Sequence, residues 1–74
     1  MPAARRLTIY RVRRHGRDGV PKGTAWFASP LAAARRAAWW RSRGWTVTVD
    51  QSTDRVTFAP AEDLPDPGPV RPAA

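Results

Sequence analysis

Hydrophobic and polar positions alternate in two stretches of the chain and take a helical period in a third. Residues 7–13 alternate, with Tyr10 and Val12 on one face beside Thr8, and Leu7 and Ile9 on the other with Arg11 and Arg13. That period of two predicts a strand. Residues 24–28 predict a short second strand, hairpinned with the first across a Gly-rich, charged loop at 14–23 that contains Pro21. Residues 45–50 alternate cleanly, with Trp45, Val47 and Val49 on one face. A polar turn at 51–54 then leads to a further alternating stretch, 55–58, with Val56 and Phe58 expected inward. The last two stretches read as a second hairpin.

Between the hairpins the period changes to that of a helix. Ser29 supplies a capping oxygen, and Pro30 occupies the first helical position, where its missing N–H costs nothing. The helix is expected to run from Pro30 to about Arg43 and to end at Gly44, which tolerates the left-handed conformation. One arc holds Leu31, Ala33, Ala34, Ala37, Ala38 and Trp40, small residues that permit close approach to a sheet. Arg41 falls within this arc, but near the helix end, where its head can reach water. The opposite arc holds Ala32, Arg35, Arg36, Trp39 and Arg43.

These elements predict an α+β fold of ββαββ order. One antiparallel sheet of three or four strands carries one helix on one face. Residues 1–6 read as a flexible basic arm and residues 7–59 as the single domain. Residues 60–74 contain five prolines and read as a disordered Pro-rich tail. The folded part is small for a lone hydrophobic core, and the chain contains no cysteine to staple it. Leu7, Ile9, Thr46, Thr48 and Thr57 are expected on the uncovered sheet face. A second copy could cover that face by sheet stacking, or join at a sheet edge, to give a homodimer. A tolerated half-wet face is the alternative.

Charge sharpens the picture. The 74 residues include 13 Lys or Arg and six Asp or Glu, for a formal net charge of +7. Residues 1–44 hold eleven of the basic residues and only Asp18 among the acids, whereas residues 45–74 have a net charge of −3. The dominance of Arg over Lys is what GC-rich codons produce unaided. The near-absence of acids from the first 44 residues is not explained that way, and it points to an anionic partner.

Two clusters carry this charge. The first is Arg11, Arg13, Arg14, His15, Arg17 and Lys22, suited to tracking a phosphate backbone. A solvated strand edge guarded against aggregation explains Arg11 and Arg13 equally well. The second is the helix face of Arg35, Arg36, Trp39 and Arg43, where guanidinium groups pair with phosphate and an indole offers a stacking plate. Two plainer accounts of that face remain open. Its arginines can form an ordinary solvated face, or Trp39 can bury beneath an Arg.

Catalytic chemistry finds no constellation. His15 is the only histidine and has no Cys or acid partner in sequence reach. Ser29 is explained as a cap, and Gly16, Gly19 and Gly23 lack the Lys-Ser/Thr ending of a phosphate loop. No catalytic residues, metal ligands or cofactor are assigned. No apolar run approaches a membrane span, and the basic start is followed by too short and charged a stretch for a signal peptide, so a cytoplasmic chain is expected.

The sequence therefore favours a small, basic, non-enzymatic nucleic-acid-binding accessory or regulatory protein, with DNA and RNA unresolved. The alternative is a protein-interaction module with an acidic partner, in the style of small bacterial, phage or mobile-element regulators. Arg and Trp are also favoured interface anchors, and the acidic tail would then serve as a linear contact or a competitor for the basic face. Membrane association is the weakest reading, because an apolar arc of alanines inserts poorly.

Overall fold

The computed structural model describes residues 7–70, so the basic arm and the last four residues lie outside the described residues. The elements are β1 (Ile9–His15), β2 (Pro21–Phe27), α1 (Pro30–Ser42), β3 (Thr46–Ser52) and β4 (Ala59–Pro60). They form an α+β domain with one four-stranded antiparallel sheet, ordered β2-β1-β3-β4, and one helix packed on it.

β1 is the central strand, and its alternation decides which face is covered. Val12 is fully buried beneath α1, and Tyr10 packs on the same side. Ala25 and Phe27 of β2, with Trp45, Val47 and Val49, complete the sheet's contribution to this core. The helix answers with Ala33, Ala34, Ala37 and Trp40, all buried. Alanine allows close approach, so Trp40 supplies most of the helix's apolar area.

The hairpin is longer than its sequence suggests. β1 continues to His15 and β2 begins at Pro21, so the expected ten-residue loop shrinks to residues 16–20. The turn is closed by Gly16 N–H donating to Val20 O and by Gly19 N–H donating to Gly16 O. The Asp18 carboxylate accepts from Val20 N–H, and Gly19 has a φ of +79°. Pro21 is tolerated because it opens an edge strand. Gly23 has a packing reason: a Cβ there would lie 2.7 Å from Arg14 Nε.

Helix signals match their expected positions. Ser29 Oγ accepts from Ala32 N–H at 3.2 Å. At the other end, Arg43 N–H and Trp45 N–H both donate to Trp40 O, and Gly44 turns the chain at a φ of +90°.

The fourth strand requires a correction. Residues 55–58 do not form it: β4 is only Ala59–Pro60, paired with Gln51 and Asp50 of β3. The polar residues after β3 build a hydrogen-bonded turn instead. Asp54 Oδ1 accepts from Thr57 N–H, Val56 N–H and Ser52 Oγ–H, while Ser52 Oγ accepts from Arg55 N–H. Arg55 takes a φ of +66°, incompatible with a strand. Val56 is 82% exposed rather than inward. Phe58 crosses to the side of the sheet away from the helix, where Arg11 lies 4.0 Å from its ring centroid.

The tail has no regular secondary structure at 61–70, yet it is not detached from the fold. Ala61 N–H donates to Val49 O, and Ala61 and Leu64 pack half-buried against the core.

Two predictions follow from this packing. Trp40→Ala is expected to lower unfolding free energy by about 3–5 kcal/mol, read from chemical denaturation. The second concerns pH. Hydrogen bonds from Thr57 and Val56 N–H, then from Ser52, hold the Asp54 carboxyl well below the usual carboxylate range. A depressed folded-state pKa contributes stability that is complete above the unfolded value, about 3.9, and is lost as pH falls toward the folded value. The stability gap between wild type and Asp54→Asn should therefore be constant near neutrality and narrow as urea titrations move below about pH 4.

Candidate nucleic-acid interface

The strand register brings charges together that are distant in sequence. His15 pairs with Thr46, so the β1–β2 turn lies at the end of the sheet where β3 begins. The helix reaches that end too, because Trp45 N–H bonds back to Trp40 O. Arg17 and Lys22 on the hairpin, and Arg41 and Arg43 at the helix terminus, therefore share one end of the molecule. All four are exposed. The acid in the hairpin turn, Asp18, lies 3.9 Å from Lys22 in a solvent-exposed pair, too weak to neutralise this end. The helix C-terminus itself favours cations, consistent with Arg41 in the last turn.

Arg14 belongs to this end but is largely committed to the fold. Its guanidinium carbon lies 4.6 Å from the Trp45 ring centroid and 5.2 Å from that of Trp40, on the helix side of the sheet. It closes the core where the two indoles meet.

Arg11 and Arg13 project from the opposite face, as alternation requires. Both donate to the same oxygen of Asp50, Arg11 Nη2 at 3.0 Å and Arg13 Nη2 at 2.8 Å. Asp50 is buried and sits directly across from Arg11 in the β1–β3 ladder. These arginines carry a structural ion pair, and Phe58 caps Arg11 from outside. The expected charged stripe is therefore held by Asp50, whose single charge offsets one of the two guanidinium charges.

On the helix, Arg35 and Arg36 are exposed. Trp39 is 36% exposed, at the boundary between surface and core, whereas Trp40 is 5% exposed. Arg43 lies 5.1 Å from the Trp39 ring. Arg36 lies between 5.4 and 6.0 Å from the rings of Trp40, Phe27 and Trp39. The solvated-face and cation–π accounts thus both apply, to different atoms of the same cluster.

A groove of about 910 Å³ opens beside this cluster, lined by Phe27, Arg35, Arg36 and Trp39 on one side and by Pro67 to Val70 on the other. Among the described residues, two guanidinium groups and no carboxylate border it, which suits an anionic or π-bearing ligand.

Two residues that shape these surfaces escape sequence reasoning. Asp50 reads only as the polar end of the alternating stretch 45–50 until the register places it opposite Arg11. Trp26 is 56% exposed and meets Phe58 edge-on at 5.8 Å between centroids. Arg41, on the helix arc that faces the sheet, is exposed, and its Nη2 donates to Val47 O at 3.4 Å.

Among the described residues no helix is long and apolar enough to cross a membrane. The chain matches no protein-family model, no curated protein and no solved structure.

The Asp50 ion pair yields a direct test. Asp50→Asn leaves two guanidinium groups side by side on one strand face without a counter-charge. It is expected to cost about 2–3 kcal/mol in urea denaturation, with part of the loss recovered in high salt.

Proposed function

We propose that this chain is a small, non-enzymatic nucleic-acid-binding protein that acts as an accessory or regulatory factor in the cytoplasm. The observation that carries the reading is the convergence of Arg17, Lys22, Arg41 and Arg43 at one end of the sheet. Four exposed cations on two elements form a footprint that a phosphate backbone fits. Arg35, Arg36, Trp39 and Arg43 extend it along the helix, where Trp39 supplies an aromatic plate for an accessible base. Arg11, Arg13 and Arg14 support the interface from within rather than touching nucleic acid, since they are held by Asp50, Trp40 and Trp45. Capture would be electrostatic, through release of counterions from the phosphates.

A second reading rests on the groove. Its far wall is the chain's own Pro67 to Val70, so the aromatic and guanidinium wall already faces a Pro-rich peptide. Aromatic-lined grooves take such segments readily, and an acidic protein partner would exploit Arg35 and Arg36 as well. In this reading the chain is a small inhibitor or regulator of another protein.

Fluorescence anisotropy with duplex DNA, single-stranded DNA and structured RNA, each across a salt series, separates the two readings. The nucleic-acid reading expects binding that survives physiological salt, with a log–log slope near −4 on duplex DNA, equivalent to about four phosphate contacts. Arg36→Ala with Trp39→Ala should weaken it at least about tenfold with an unchanged circular-dichroism spectrum, because each base-stacking contact is worth about 1–3 kcal/mol. Binding lost by about 0.15 M salt with no preference among polyanions would overturn the reading in favour of a protein partner.

A further inference from the structure

We infer that the groove beside Trp39 is a seat for an unpaired nucleotide: the basic end grips a phosphate backbone while one base beyond the duplex stacks on the indole. The inference rests on the nucleic-acid reading and deepens it, by naming the feature of nucleic acid that the helix face recognises.

The helix period builds the seat. Arg35 and Arg36 lie four and three residues before Trp39, and Arg43 lies four after it, so all three cations neighbour the indole. From Arg35 to Arg43 this face runs about 12 Å along the axis, at about 1.5 Å per residue. Phe27 of β2 adds a second aromatic group to the same wall. Among the described residues, neither Arg35 nor Arg36 is paired with a carboxylate. Glu62, Asp63 and Asp66 belong to the segment on the far side, yet none of them lines the groove. Asp66 accepts instead from Gly68 N–H at 2.9 Å. The opening measures about 910 Å³, within the roughly 300–1,000 Å³ of sites that hold small organic ligands.

This chemistry selects an unpaired base over a paired one. Inside a duplex the faces of a base are covered by its neighbours, and only its edges are presented. A plate such as Trp39 needs a face, which an overhang or a single strand offers directly and a duplex offers only after unstacking. The guanidinium groups on either side of the plate suit the phosphates that flank such a base. The seat adjoins the basic end, since Arg43 lies 5.1 Å from the Trp39 ring and belongs to both clusters. An incoming phosphate repels the acids of the C-terminal segment, so Pro67 to Val70 give way and the base takes their place against the aromatic wall. A neutral Pro-rich peptide would leave Arg35 and Arg36 without a counter-charge, which favours the nucleotide as occupant.

Fluorescence anisotropy at physiological salt reads the seat with the unmodified chain. The probes are a blunt duplex, the same duplex with a short overhang of either polarity, and that overhang made abasic. Each is prepared in DNA and in RNA, since both supply an unpaired nucleotide. The overhang should bind at least about tenfold tighter than the blunt end in one or both chemistries, a gain within reach of one base–aromatic stack. The abasic overhang keeps the phosphates and loses the bases, so it should fall back to within about threefold of the blunt duplex. Trp39→Ala should erase the overhang preference and leave blunt-duplex affinity within about twofold, whereas Trp39→Phe keeps most of the preference. Arg35→Ala, at an exposed position, carries the test should Trp39→Ala fail to fold, and should lower the preference at least about threefold. Equal binding of blunt and overhang probes would overturn the seat while leaving the basic end in place, and the groove would pass to the protein partner of the second reading. Binding of neither probe would overturn the seat together with the nucleic-acid reading beneath it. A preference that survives in the abasic probe, or in every variant that keeps its circular-dichroism spectrum, would also overturn it, since the unpaired nucleotide would then sit elsewhere.

Discussion

One carboxylate, that of Asp50, makes the rest of this sheet possible. β1 must be apolar toward the helix, and it places Arg11 and Arg13 side by side on its other face. Two adjacent guanidinium groups on a central strand repel unless something neutral or negative is set among them. Asp50 is placed there by pairing, accepts from both, and is itself buried. The arrangement also fixes alignment. A slip of one residue between β1 and β3 would turn Asp50 toward Trp40 and Val12 and leave the arginines facing water alone. The ion pair is thus as much a determinant of register as a contributor to stability, in a fold with little core to specify it otherwise.

The same strand imposes a second demand through Arg14, which must lie on the apolar side. The chain meets it by stacking the guanidinium on Trp45 and Trp40 and by removing the side chain at position 23, over which Arg14 passes. A charge is thereby built into the covered face, where its planar group substitutes for aliphatic packing. The consequence for function is a division of labour among the basic residues of β1, the hairpin and the helix. Those on β1 are consumed by the fold, and those on the hairpin tip and the outer helix remain available. The basic character of the sequence is therefore a poor guide to which arginines meet a ligand, and the ladder is a better one.

Much of the architecture is legible in the sequence because short-range rules govern it. Ser29-Pro30 and Gly44 mark the helix because capping is decided within one turn. The alternation of Trp45, Val47 and Val49 marks β3 because one face must be dry. The errors have a common origin in the polar residues. Residues 55–58 alternate as a strand does, yet Asp54 and Ser52 capture the backbone donors that a strand would have offered to β3. Residues 21–23 look like loop because Pro and Gly break interior strands, a rule relaxed at an edge and reversed where Arg14 needs the space. The candidate site was legible as a set of residue types. Its division between Asp50-bound and exposed arginines depends on cross-strand pairing, which no local pattern contains.

The two-residue β4 has a consequence for how the molecule opens. β1 is hydrogen-bonded along both sides and covered by α1, so its amides exchange only when the whole domain unfolds. Among the described residues, the segment 59–70 is held by one short ladder, by the bond from Ala61 N–H to Val49 O and by the side chains of Ala61 and Leu64. It can leave as a unit while everything behind it stays folded. Since its far end forms one wall of the groove beside Trp39, the accessibility of that groove is a local equilibrium constant rather than a fixed property of the surface. Any ligand for the groove would feel this fraction directly, its apparent affinity scaled by the time the C-terminal segment spends away.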